Sequence, residues 1–166
     1  MGWGRDLALG AVAGYGASRV MDRVTTAFQE RQSESSRRRE REVQEEMATT
    51  VLVKKLAQSL GRKIDEHEAE RLGGWVHYGM GVSTGVSAAL MVHRGMPAFR
   101  AGVASALTTW LLVDEVANPV LGLTPAATDY PVVTHVRGFV GHLALGLTIG
   151  SFFAIRRVLF GKGTRT

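Results

Sequence analysis

The sequence predicts an all-α protein, an integral-membrane four-helix bundle with a charged helical insert between its first and second membrane helices. Three observations carry that reading. Formal charge is segregated: the 45 residues from Phe28 to Leu72 hold ten of the 20 Lys/Arg and ten of the 15 Asp/Glu, so the remainder is strongly apolar. Apolar runs of near-spanning length occur four times, and no strand-like alternation is long enough for a barrel. Small residues recur at four-residue spacing within the runs, the pattern that lets membrane helices approach closely.

The first run, within a segment 1–28, opens with twelve uncharged residues, Leu7 to Ser18, before Arg19, Asp22 and Arg23 appear. A hydrocarbon core about 30 Å thick needs roughly 20 apolar residues, so the polar end is expected at an interface or against other helices. A cleaved signal peptide is the alternative, but the run is glycine-rich and lacks a clear cleavage boundary.

The insert, 29–71, is expected to be helical and polar. Gln29 to Glu46 lacks proline and glycine and alternates charge, which reads as a solvated helix. Val51, Leu52, Leu56 and Leu60 make a short amphipathic helix with Gly61 as its C-cap, suited to a membrane surface or to covering the bundle. Asp65 with Glu68 forms a capping box that starts the next helix in water.

A three-helix membrane core is expected over 72–160. Gly73 to Val92 has no formal charge and one imidazole, His77; a link with His93, Arg94, Gly95 and Pro97 turns the chain; Ala98 to Ala117 is the third span. Pro119 stops it, and Gly138 to Ile155 is the fourth, with His142. A basic tail, 161–166, follows. The tail favours both termini inside, while the Arg37 cluster pulls the other way.

The polar residues within the apolar runs fall on the small-residue faces. The stripes read Gly10, Gly14, Ser18, Asp22; His77, Gly81, Gly85, Ala89; Ala106, Trp110, Asp114, Asn118; and Gly138, His142, Gly146, Gly150. Connectivity sets their depth. In an up-down bundle the end of helix one, the start of two, the end of three and the start of four lie on one side. Asp22, His77, Asp114, Glu115 and His142 therefore converge there, with Arg19, Arg23, Asn118, His135 and Arg137 around them, and the opposite half is expected to be apolar. Ionisable groups inside a membrane are costly and mark functional sites by default.

Three chemistries suit this cluster. Carboxylates beside imidazoles are the parts of a proton or ion relay. A charge-balanced network of Arg19, Arg23 and Arg137 with Asp22, Asp114 and Glu115 would serve structure alone. A transition-metal site from His77, His142, Glu115 and Asp22 is chemically reasonable, although no two ligands share a helix at metal spacing; no cofactor is otherwise expected. With no cysteine, disulfides and thiolate sites are excluded. No nucleophile motif or phosphate loop is present, so no catalytic residue is assigned. A net charge of +5 does not imply nucleic acid, because the basic residues are interleaved with acids rather than aromatics. The expected partners are the lipid bilayer and, through small-residue faces, a second copy or another membrane protein.

Several blocks then carry a resemblance: Val20-Met21-Asp22-Arg23-Val24-Thr25-Thr26; His77-Tyr78-Gly79-Met80-Gly81; Asp114-Glu115-Val116-Ala117-Asn118-Pro119 with Leu121-Gly122-Leu123; and His135-Val136-Arg137-Gly138 with Gly141-His142. In this order they resemble the YagU-like small bacterial inner-membrane proteins. The resemblance implies a multi-pass protein of the inner membrane, of the acid-stress or ion-homeostasis kind, and supplies no catalytic residues. A structural or accessory subunit and a metal-dependent membrane enzyme are the alternative functions.

Overall fold

The structure, a computed structural model, describes residues 3–160, so the basic tail 161–166 lies outside the described residues. They form α1 (Trp3–Glu30), α2 (Glu34–Val43), α3 (Ala48–Ser59), α4 (Glu66–His93), α5 (Ala98–Thr109), a π-helical segment (Trp110–Ala117), the single turn α6 (Asn118–Val120), a 3₁₀ turn (Ala127–Asp129) and α7 (Val132–Phe160). No strand occurs among the described residues. The chain is all-α.

Four long rods, α1, α4, α5 with its π extension, and α7, stand in a ring in chain order, each beside the next and α7 closing against α1. Neighbours run antiparallel, because residues near the start of one meet residues near the end of the other: Asp6 bonds Arg156, and Asp22 meets His77.

The seams are built from small residues. A Cβ added at Gly14 would lie 2.1 Å from the Gly81 carbonyl oxygen, and one at Gly85 the same distance from that of Gly10. Backbones touch there with no side chain between. Across the ring, a Cβ at Gly102 would sit 2.2 Å from the Gly146 oxygen, and one at Gly150 would be 2.9 Å from the Phe99 Cα. The core between the seams is mostly alanine, Ala17, Ala88, Ala89 and Ala106, completed by Leu145, Ile149 and Phe153. Large apolar side chains point outward instead, among them Val12, Trp75, Phe99, Leu112 and Ile155.

By length and composition, one helix among the described residues, Val132–Leu159, is sufficient to cross a membrane. The four spans expected from sequence thus reduce to one candidate. The reasons are local: α1 carries Arg19, Asp22 and Arg23, α4 is diluted by glycine, serine, threonine and His77, and α5 proper is only 12 residues before the winding changes.

The insert differs from a solvated helix. α1 continues to Glu30, the chain breaks, and Ser33 caps α2, its Oγ accepting from the Ser36 N–H at 3.3 Å. Glu40, 7 % exposed, and Gln32 turn inward to the start of α7. The Asp65 cap forms, Oδ1 accepting from the Glu68 N–H at 2.8 Å. Gly61 follows the C-cap of α3 at φ +66°, a conformation glycine adopts without strain. α3 packs on α4, Thr50 against Gly73.

Candidate functional site

One end of the bundle gathers the residues singled out in the sequence, and it does so in pairs. Asp22 of α1 accepts from His77 Nε2 at 3.0 Å and from the Tyr78 hydroxyl at 2.8 Å, both on α4. Arg19 donates to the same tyrosine at 3.2 Å, and Arg23 is exposed. Asp114 faces His142 Nε2 at 3.7 Å, and Glu115 meets His135 Nδ1 at 2.8 Å. Asn118 lines the adjoining cavity.

The π winding sets the two adjacent carboxylates. The Asn118 N–H bonds the Val113 carbonyl, five residues back, where an α-helix would use Asp114. The expected common face of Ala106, Trp110, Asp114 and Asn118 assumed α-helical spacing. With the wider turn, Asp114 and Glu115 reach two different histidines of α7. Wide turns of this kind occur disproportionately at functional sites.

Tautomers follow from the hydrogen bonds. A carbonyl only accepts, so His142 Nδ1, 3.0 Å from the Gly138 oxygen, carries a proton. In the neutral ring, Nε2 then presents a lone pair to Asp114. His135 is held likewise: Nε2 donates to the Ala127 oxygen at 2.9 Å, so its contact with Glu115 through Nδ1 requires one more proton, on either partner. Each of these pairs sets two acceptors face to face unless a proton is shared.

Two spaces that share wall residues adjoin the pairs. A chamber of about 120 Å³ lies inside the helices, lined by His77, Asp114 and His142 with Ser18, Thr84 and Thr109. A cavity of about 460 Å³ opens beyond it and shares His77, Met80 and Asp114 with the chamber. Its far wall is α3 and the 119–125 segment. The chamber has room for water. Toward the opposite end, Ala88, Leu145, Ile149 and Phe153 close the core.

The arginines pair differently from the expected charge-balanced network. Arg137 donates from Nη1 to Glu40 at 2.7 Å and to Gln32 at 2.9 Å. Burial alone would raise the Glu40 carboxyl; hydrogen bonds from Thr134, Arg137 and Gln32 outweigh it and hold the group below its ordinary value. Nothing in an alternating charge run singles out Glu40, so sequence reasoning missed it.

The opposite end, expected to be apolar, holds a second polar cluster. Asp6 accepts from Arg156 at 3.0 Å and contacts His93 Nδ1 at 3.1 Å, while Trp3 packs on the His93 ring at 4.4 Å. The metal set is not assembled: His77, His142 and Glu115 each face a different partner, and no three His, Asp or Glu side chains among the described residues are grouped to hold an ion.

Of the packing glycines, Gly10, Gly14, Gly81 and Gly85 lie in the α1–α4 seam, and Gly146 and Gly150 in the α5–α7 seam. Gly102, which completes the latter, was overlooked as part of a plain apolar run. Comparison with protein-family models, with curated proteins and with solved structures returns no match.

Proposed function

We propose that this chain is a multi-pass membrane protein that binds and exchanges protons at one end of its bundle, in acid-stress or ion homeostasis. The observation that carries the reading is His142, whose Nδ1 is committed to the Gly138 carbonyl and whose Nε2 faces Asp114 in an internal chamber. Placing a proton on either group turns opposed lone pairs into a donor and an acceptor, which form a hydrogen bond once the π segment and α7 close the 3.7 Å between them. Proton occupancy is thereby coupled to helix contact.

Membrane placement is supported by the distribution of side-chain size. Alanine and glycine fill the interior while large apolar groups face out around the rods, an arrangement suited to lipid and unsuited to water. The resemblance to YagU-like proteins adds support, since its four blocks contain both members of the three imidazole–carboxylate pairs at this end.

Two measurements test the reading. Carbonate extraction of membranes should leave the chain in the pellet; release into the supernatant removes the multi-pass proposal. Infrared titration of the purified protein should show a carboxylic-acid band that disappears with rising pH and is missing in Asp114→Asn. Identical spectra for wild type and variant would rule out Asp114 as the exchanging group.

A further inference from the structure

We propose that the 460 Å³ cavity binds a monovalent organic cation, an ammonium carried on an apolar body about the size of one aromatic ring, in competition with protons at Asp114. The inference rests on the proton reading of Asp114 and adds the class of ligand.

The cavity lies within the roughly 300–1,000 Å³ range of small-molecule sites. Its walls are largely apolar, with Met47, Leu52 and Met80 offering adaptable surface and the Trp110 indole an aromatic face suited to a cation. Charge decides the sign of the ligand. Arg137 is engaged by Glu40 and Gln32, so it adds no net charge. Glu115 is already in direct contact with His135, with which it must share a proton, and Asp22 is bonded by His77 and Tyr78. Lys55 is directed to the carbonyls of Leu121 and Gly122. His142 holds its proton away from Asp114.

Asp114 is therefore the carboxylate left without a direct hydrogen bond, in the wall shared by cavity and chamber. An ionised carboxylate against apolar walls needs a proton or a cation to offset its desolvation. Two other buried polar atoms among the cavity's lining residues are also unengaged among the described residues, Thr49 Oγ on the α3 wall and Trp110 Nε1. An ammonium donates to the Asp114 carboxylate and offsets its charge. Anions find no open cation here, and neutral apolar molecules leave Asp114 uncompensated.

The test is equilibrium binding of phenethylammonium, with a neutral hydrocarbon of the same shape as control, to the full chain in zwitterionic nanodiscs with empty discs subtracted. Expected are saturable binding of the cation, none of the control, and at least tenfold weaker affinity in Asp114→Asn. In wild type, affinity should fall as pH is lowered. Leu52→Trp, which fills the cavity from α3, should abolish binding while leaving the Asp114 infrared titration in place. Equal binding of cation and neutral control, affinity independent of pH, or full binding in Leu52→Trp would each overturn the proposal. A protein whose Asp114 titrates but that binds no cation loses this inference alone. One that binds the cation without a titrating Asp114 loses the proton reading and the competition built on it.

Discussion

The two ends of the bundle hold similar residues in different states of completion. At the terminal end, Asp6 sits between His93 and Arg156, and the arginine is a permanent donor. That carboxylate is satisfied at any ordinary pH. At the α2–α3 end, Asp114 and Glu115 face imidazoles whose other nitrogens are already committed to carbonyls. A permanently charged partner closes a site, whereas a titratable partner leaves it waiting for a proton. The difference separates structure from exchange without appeal to position in the chain.

The comparison breaks most completely if the frame shared by both ends fails. Gly85→Leu drives a side chain into the Gly10 carbonyl and should cost at least about 3 kcal/mol, read as loss of folded protein on heating in detergent. A variant as heat-resistant as wild type would mean that the ends do not share a close-packed seam. Arg137→Ala strands Glu40 in a buried position and should cost roughly 3–5 kcal/mol by the same measurement. The neutral donors Gln32 and Thr134 cannot balance that charge.

Acid sharpens the contrast next. The Glu40 carboxyl is held below its ordinary value, so its stabilising contribution is full above the unfolded value of about 4.5 and is lost as pH falls through the lower, folded one. Thermal midpoints should fall across that window in wild type and fall less in Glu40→Gln. Equal slopes would show that Glu40 is not the linked group. The smallest effect expected is for Asp114→Asn, which should change stability at neutral pH by less than about 1 kcal/mol while removing one proton from the titration. A large loss of stability instead would return Asp114 to a structural role.

Much of the frame was legible because small residues at four-residue spacing state which faces meet. Gly10, Gly14, Gly81 and Gly85 do meet in one seam. Connectivity alone was enough to bring Asp22, His77, Asp114, Glu115 and His142 to one end, and the pairing of Asp22 with His77 and of Asp114 with His142 came only with the structure. The same connectivity also brings Asp6, His93 and Arg156 together, yet that half was expected to be apolar, and the second cluster was missed. Two features had no sequence signal. The π winding differs from an α-helix by one hydrogen-bond register and leaves the residue pattern unchanged. Glu40 lies within Arg39-Glu40-Arg41, where every neighbour is charged, and its inward turn is set by the break after α1.

The alanine and glycine core has a thermodynamic consequence as well as a geometric one. Alanine and glycine have no side-chain rotamers to freeze, so ordering these seams costs backbone freedom almost alone. The same absence removes any means of adjustment: where backbone meets backbone at Gly14 and Gly81, no side chain can rotate to absorb a displacement. Such a bundle carries its entropic cost in the backbone, where glycine's is largest, and has a single way of fitting together.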